Sequence, residues 1–349
     1  MIRFVAIFSF LAWNALAAPA QTVMPDGRLH ELAVQGIDLM WQQKYREADS
    51  VFRVMTRVFP NHPAGYAYRA GVMQTKAVDH ELMVDEPVFD SLISISKAKA
   101  HSMIDAGGTG ATWGYFFLAT AEGCDSYARV YRGDWMTGAL RGVASSSAFK
   151  DVLARDSMLY DAYAGLGGFY YWRSRKTEYF NWLPFVGDDR PRAFSLLKKT
   201  AEHGVYNRYT ALSMLAAIYN DASSSEKAIE CARTGLERYP SNQVFLWALT
   251  TALEKLGKAK EAVTAYERLL SSLREDGDES AYNDLVCRLN ISRLKLEMGD
   301  TVHVRESLVT ILKSRREDFP SHLKKRVEEK LEKARDLLHK VAASRSSNE

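Results

Sequence analysis

The feature that most constrains this 349-residue chain is a repeated helical pattern between residues 209 and 270. Ala228 and Ala262 lie 34 residues apart, and each lies near the start of a segment in which apolar residues recur at helical spacing. Tyr266 follows Ala262 by four residues, which places a small residue and a ring on one helix face. Leu246 and Leu253 belong to the stripe of the preceding helix. This spacing predicts antiparallel helix pairs that stack on their neighbours.

A second copy of the pattern lies near the N-terminus. Ala48 and Phe52 repeat the small-then-aromatic step, and Pro60 follows Ala48 at the distance that separates Pro240 from Ala228. A small alanine lets two helices approach closely, the ring fills the space beside it, and proline ends the helix. Both regions resemble tetratricopeptide-repeat (TPR) proteins. The resemblance implies stacked helix pairs whose concave surface binds a partner.

Less regular helix pairs fill the remainder of the chain, and we find no alternating strand pattern bounded by hairpin turns. We therefore expect an all-α, TPR-like α-solenoid of antiparallel helix pairs, with an irregular central block and a C-terminal capping helix. The predicted division is a signal peptide over 1–20, N-terminal helix pairs over 21–106, a central block over 107–206, C-terminal repeats over 207–318, and a capping helix with a frayed tail over 319–349.

The first twenty residues have the pattern of a secretion signal. Arg3 provides a positive start, residues 4–16 form an apolar run too short for a comfortable membrane span, and a small-x-small triplet ends at Ala20. We expect cleavage before Gln21 and a soluble periplasmic or secreted protein without a membrane span. The alternative is an uncleaved N-terminal anchor.

Charge and cysteine content narrow the possible partners. The formal net charge of +3 falls to +2 when the leader is removed, which gives no argument for nucleic acid, whose binding needs clustered basic charge. Cys124, Cys231 and Cys287 are far apart and lack C-x-x-C spacing. We favour three buried apolar thiols, with one disulfide and one free thiol as the alternative in an oxidising compartment.

The central block combines small residues with dense aromatics. Its successive elements are Gly165-Leu166-Gly167 with Phe169-Tyr170-Tyr171, then Leu183-Pro184, then Gly187-Asp188-Asp189-Arg190, then a helix that ends near Gly204. This order resembles the inclusion-body-clearance family of TPR proteins and its bacterial relatives, over roughly residues 123–219. Three glycines on one helix cost about 1 kcal/mol each relative to alanine, so a close helix contact or a ligand must offset them. We favour the close contact.

Several short catalytic patterns match by spacing alone. Ser94-x-x-Lys97 and Ser224-x-x-Lys227 have serine–lysine spacing, but both lie on charged helical segments. Residues 107–110 form a glycine-rich stretch before a helix, but they lack the lysine of a phosphate-binding loop, so we interpret them as a turn. The eight histidines are dispersed. We expect no enzyme activity, no metal and no cofactor.

Stacked helix pairs leave their first helices lining a concave face. The polar and aromatic residues expected on that face form a candidate groove: Tyr127, Arg129, Tyr131, Asp161, Tyr163, Tyr170, Arg173, Trp182 and Arg190. In our interpretation the aromatics anchor a peptide and arginine fixes an acidic group, although each aromatic also fits a core position. The predicted function is an exported scaffold for a protein or peptide partner. The alternatives are a small-molecule or glycan receptor built on the central aromatics, and a hydrolase with a site assembled from dispersed residues.

Overall fold

The computed structural model describes residues 21–178, 187–275, 281–300 and 302–346, so the predicted leader lies outside the described residues. Within these ranges the chain forms fifteen α-helices, two short 3₁₀ turns and no strand. The helices are α1 (Gly27–Trp41), α2 (Tyr45–Val58), α3 (Ala64–Asp79), α4 (Glu86–Ala106), α5 (Gly108–Tyr131), α6 (Trp135–Arg155), α7 (Ala162–Lys176), α8 (Arg190–His203), α9 (Arg208–Asp221), α10 (Ser225–Arg238), α11 (Gln243–Lys255), α12 (Ala259–Glu275), α13 (Ala281–Glu297), α14 (Val302–Ile311) and α15 (Lys324–Ser346).

Consecutive helices pack against each other along the whole described chain. The odd-numbered helices up to α13 are the first members of pairs, and the even-numbered helices are the second members. The first helices from α3 to α11 also contact one another in sequence order, which stacks the pairs into an array. The predicted all-α, TPR-like solenoid is therefore confirmed for the described residues.

The small-then-aromatic pattern forms the contacts within and between pairs. Ala48, Ala228 and Ala262 have no exposed surface, and the rings of Phe52 and Tyr266, four residues after the first and the last of them, are buried. A Cβ atom on Gly36 would overlap the ring of Phe52, so glycine is needed at that crossing. Side-chain volume at these crossings therefore sets how closely the helices approach.

Two of the three central glycines on α7 serve the same purpose. A Cβ atom on Gly165 would overlap the ring of Phe149, and one on Gly167 would lie 2.7 Å from Leu197 Cγ. At Gly168 the added atom would make an ordinary contact of 3.4 Å with the sulfur of Met214. Close helix packing accounts for the first two glycines.

The array closes on its own N-terminal pair. The ring of Trp41 stacks on those of Tyr239 and Phe245, at centroid distances of 6.3 and 5.5 Å. Tyr239 Oη donates to Asp38 Oδ1 at 2.9 Å, across 201 residues of sequence. One continuous core runs from α1 to α13 as a result. The inner faces of the first helices are largely used for this core.

A second set of contacts joins α3 to the C-terminal helices. Asn283 Nδ2 donates to the carbonyl oxygen of Asp79 at 2.7 Å, and Arg326 pairs with Glu81 at 2.8 and 2.9 Å. The helix α15 buries Val327 and Leu331 against α13 and α14 and leaves many charged side chains exposed, as expected for a capping helix. None of the described helices has both the length and the apolar content that a membrane crossing requires.

Candidate functional site

The two tyrosines predicted on α5 lie together on the surface. Tyr127 and Tyr131 are one helical turn apart, and their rings stack at a centroid distance of 6.4 Å. They are 47% and 45% exposed. With Val78, Leu82 and Met83 they line a shallow depression between the end of α3, the α3–α4 connection and the end of α5. We call this depression the tyrosine cleft.

Arg129, between the two tyrosines, is bound by acidic groups of the same chain. Its guanidinium lies 3.2 Å from Asp125 and 3.6 Å from Asp90. In this structure the acidic groups that Arg129 binds are therefore those of its own chain, Asp125 and Asp90. A partner carboxylate would have to displace one of these ion pairs.

Asp125 belongs to a buried ionic cluster between α4, α5 and α6. Lys97 Nζ lies 2.9 Å from Asp125 and 3.0 Å from Glu122, and Arg141 approaches both carboxylates at 3.4 and 3.5 Å. Burial alone would raise the pKa of Asp125, but hydrogen bonds and charge from Lys97 and Arg129 hold that pKa below its usual range. The amine of the Ser94-x-x-Lys97 pattern is therefore part of a structural ion cluster.

The remaining candidate aromatics lie on α7, away from the tyrosine cleft. Tyr170 is only 3% exposed. The cationic groups of Arg192 and Arg173 lie 4.6 and 5.3 Å from its ring centroid, within cation–π range. Tyr163 is half-buried, with Lys199 Nζ 5.1 Å from its ring. These rings serve as platforms for the chain's own cations.

The other two candidate arginines are also paired within the chain. Arg173 forms an ion pair with Asp189, and Arg190 binds Asp188 through two nitrogens at 2.7 and 2.8 Å. The side-chain hydrogen bonds from Arg190, aided by its charge, lower the pKa of Asp188. Trp182, predicted on the connection above them, lies outside the described residues.

Asp161 is fully buried and organises the turn before α9. Its carboxylate accepts the backbone N–H groups of Tyr206 at 3.0 Å, Asn207 at 2.6 Å and Val205 at 3.3 Å. The side chain of Gln21 also donates to it. Burial raises the pKa of Asp161, whereas these hydrogen bonds act in the opposite direction. In this structure Asp161 faces the interior and does not line a groove with Tyr127 or Arg173.

Sequence reasoning missed a prominent surface on the second helix α6. Trp135, Met136, Leu140 and Val143 are 59%, 79%, 67% and 58% exposed, and the last three share one helix face at i, i+4 and i+7 spacing. We call these four residues the α6 ridge. The available signal was that α6 carries two apolar stripes, of which only the stripe through Phe149 is needed for packing.

The described residues offer no group of three or more His, Cys, Asp or Glu side chains arranged to hold a metal ion. Cys124, Cys231 and Cys287 are free thiols, of which Cys287 is buried and the other two are half-buried. The fold and the exposed surfaces together define a TPR-like helical array with an apolar and aromatic surface at the α5–α6 turn.

No protein-family model matches the chain, and neither does any curated protein. Among solved structures, the C-terminal part of a TPR repeat-containing protein from Cytophaga hutchinsonii is 15% identical, covers 80% of this chain and 94% of its own, and has a TM-score of 0.43. Yeast Tom70 is 13% identical, with coverages of 95% and 68% and a TM-score of 0.39. The P58(IPK) TPR domain is 14% identical, with coverages of 92% and 99% and a TM-score of 0.19. The inclusion-body-clearance resemblance stays a prediction.

Proposed function

We propose that the protein is an exported, non-enzymatic scaffold that binds a protein partner on the surface around the α5–α6 turn. The observation that carries this proposal is the α6 ridge, because four large apolar side chains lie more than half exposed on one helix. Isolated exposed apolar residues are ordinary, but contiguous apolar patches are typical of interaction sites. Burying one such side chain completely contributes about 1.5–3 kcal/mol, so the ridge supplies enough apolar surface for a specific contact.

The tyrosine cleft extends this surface on the other side of the same turn. Tyr131 ends α5 and Trp135 begins α6, so the cleft and the ridge flank a turn of three residues. Tyrosine and tryptophan are the side chains most often found at energetically dominant contacts of protein interfaces. The cleft therefore suits an anchoring side chain of a partner that also covers the ridge.

Two lysines indicate the charge of the partner. Lys150 lies on the same face of α6 as Met136, Leu140 and Val143, two turns beyond the last of them. Lys176 Nζ lies 5.4 Å from the ring of Trp135, at the other end of the ridge. Neither lysine forms an ion pair with a described residue. We infer a partner segment that carries apolar side chains flanked by acidic ones.

Export is supported by the sequence of the leader alone. The positive start, the short apolar run and the small-x-small triplet before Gln21 are the features that signal peptidase substrates share. Mass spectrometry of the protein purified from its native cell is expected to identify Gln21 as the first residue. Retention of Met1 in a membrane fraction would contradict export of a cleaved, soluble chain.

Site-specific photo-crosslinking in the native cell tests the binding surface. A photoreactive side chain at Leu140 is expected to crosslink to a partner, and one at Tyr127 to the same partner. Val309 on α14 is 42% exposed and serves as the control, with no such product expected. Equal crosslinking from positions 140 and 309 would show that the α5–α6 surface is not selective.

Charge reversal tests the chemistry of that partner. Lys150→Glu combined with Lys176→Glu is expected to weaken its binding at least about tenfold at low salt, with a smaller effect at high salt because exposed charges are then screened. Lys260→Glu combined with Lys313→Glu makes the same change of net charge on exposed residues of the C-terminal half. Equal weakening by the two double variants would contradict a local acidic contact.

A further inference from the structure

Residues 21–30, which precede or begin the first helix, are anchored to distant parts of the chain by the buried side chains of Met24 and Leu29 and by several hydrogen bonds. Thr22 N–H donates to the carbonyl oxygen of Met158 at 3.2 Å. Met24 is 2% exposed, and its N–H donates to Tyr206 Oη at 3.0 Å. His30 Nδ1 lies 2.7 Å from the same oxygen. The segment that begins at Gln21 is therefore fixed against the loops that precede α7 and α9.

The place where this segment begins is rich in acceptors and lacks a positive charge. Asp161 has no exposed surface, and no described Lys, Arg or His forms an ion pair with it. The Gln21 side chain donates to its carboxylate, while Gln21 Oε1 is itself buried without a hydrogen-bond partner among the described residues. A buried carboxylate without a cation is costly, and so is a buried acceptor without a donor.

We propose that Asp161 is the receptor for the α-ammonium group that signal cleavage creates on Gln21. Hydrolysis breaks the C–N bond between Ala20 and Gln21: the oxygen of water joins the carbonyl carbon of Ala20 to give a carboxylate, and its two protons convert the nitrogen of Gln21 into an ammonium group. That amine brings one positive charge and three N–H donors to a site that holds one carboxylate and one unpaired amide oxygen. The proposal rests on the cleavage position included in the proposed function, and it does not depend on the partner.

The structure and the leader sequence point to the same residue independently. The small-x-small triplet places the cleavage immediately before Gln21, and within the segment over residues 21–30 it is the side chain of Gln21 that donates to Asp161. A buried ion pair of this kind connects the start of the mature chain to the turn before α9. Cleavage thereby stabilises the closed array, and the mature chain is more stable than its uncleaved precursor.

The experiment compares two purified chains that differ by one residue. One begins at Gln21 with a free amine, confirmed by intact mass to exclude cyclisation of the glutamine, and the other begins at Ala20. The Gln21 chain is expected to melt about 2–4 °C higher, because a loss of roughly one favourable charged contact shifts the melting temperature of a domain by that amount. Equal melting temperatures would overturn the proposal.

Asp161→Asn in both chains is the matched control, because it keeps the shape of the side chain and removes the charge. The difference between the two starts is expected to disappear in this variant, as in a double-mutant cycle. Should the variant not fold, the reactivity of the amine in the unsubstituted chains decides the matter. The amine of Gln21 is expected to acylate many-fold more slowly than that of the Ala20 chain at neutral pH, and equal rates would overturn the proposal. Neither readout involves partner binding, so it can fail without affecting the scaffold function.

Discussion

The α5–α6 pair and the α9–α12 repeats use the same helix packing but place charge on opposite sides. On α10 the exposed face carries Glu226, Glu230 and Arg233, while Ala228 and Ala232 are fully buried. On the first half of α6 the exposed face carries the α6 ridge, while the interior between α4, α5 and α6 holds the Lys97 ionic cluster. The repeats thus have the usual distribution of polarity, and the α5–α6 turn has the reverse.

This difference shows that the fold requires particular residues at its helix crossings and tolerates either polar or apolar residues on its outer faces. Both regions need a small residue opposite a ring, as Gly235 and Phe245 show in the repeats and Gly165 and Phe149 show in the central block. Neither region needs a particular outer face for its helix crossings, because the outer contacts, such as Arg233 with Glu261 and Lys176 with Trp135, join exposed side chains at the surface. An apolar outer face therefore has to be explained by function, which is why the α6 ridge carries the proposed binding site.

The largest expected effect is on the packing that both regions share. Ala262→Trp places an indole where no surface is exposed, and we expect the free energy of unfolding to fall by about 3 kcal/mol or more. Urea denaturation followed by circular dichroism measures this change. Lys260→Trp, on an exposed position of the same helix, is expected to change stability by less than about 0.5 kcal/mol. An equal effect of both substitutions would show that helix propensity, and not the crossing, limits stability.

The next effect tests the reversed interior of the α5–α6 region. Lys97→Met removes the cation between Glu122 and Asp125, and we expect a loss of about 2–3 kcal/mol, below the value for an isolated buried pair because Arg129 and Arg141 remain nearby. Denaturation at neutral pH measures it. A neutral or stabilising result would mean that the cluster is hydrated and weak.

Acid titration sharpens this test. The pKa of Asp125 is lowered in the folded chain, so its contribution to stability is present above about pH 4, the usual range of an unfolded aspartate, and is lost as the pH falls through the folded pKa. The difference in stability between the original chain and Lys97→Met is therefore expected to shrink as the pH falls below about 4. A constant difference over that range would exclude the ion pair as its cause.

A smaller change in stability is expected when a glycine is replaced by alanine, and its sign depends on how closely other atoms approach that glycine. Gly165→Ala is expected to lower stability by about 1–2 kcal/mol, since the overlap with Phe149 outweighs the better helix propensity of alanine. Gly71 lies on α3 with nothing within 4 Å of an added Cβ, so Gly71→Ala is expected to raise stability by about 0.5–1 kcal/mol. Changes of the same sign in the two melting curves would contradict this contrast.

Substitutions on the α6 ridge are expected to have the smallest effect on stability and the largest effect on partner binding. Met136→Glu with Leu140→Glu should change the free energy of unfolding by less than about 0.5 kcal/mol per site, because both residues are exposed. It should also abolish the crosslink from Tyr127. On α10, Glu230→Leu with Arg233→Leu makes the inverse change and is expected to leave that crosslink intact. Loss of the crosslink in both variants would point to a general surface effect.

Sequence patterns predicted the helix pairs because the contacts within a pair are local. The step from Ala228 to Ala262 and the prolines after α2 and α10 all act over one repeat or less. The ion pair between Arg129 and Asp125 could also have been predicted from the sequence, since Asp125 lies one helical turn before Arg129. Local spacing therefore identified the elements and their partners along the chain.

The burial of the candidate site residues depended on contacts that no local pattern records. Asp161 accepts hydrogen bonds from residues more than forty positions away, and Tyr170 is covered by cations from α6, α7 and α8. A polar residue at a helix start and a tyrosine on an apolar helix have the same pattern whether they line a groove or a core. Only the tertiary fold distinguishes Tyr127, which is exposed, from Tyr170, which is not.

The closure of the array also has a consequence in time. Asp38, Trp41 and Gln43 meet partners about 200 positions later in the chain, whereas most helix contacts join immediate neighbours. At roughly 5–20 residues per second, a ribosome takes on the order of 10–40 s to supply those partners. During that interval α1 can pack against α2, but the ring of Trp41 lacks its contacts with Tyr239 and Phe245. The contacts of α1 with the C-terminal repeats are therefore among the last to form, although α1 is the first helix to be synthesised.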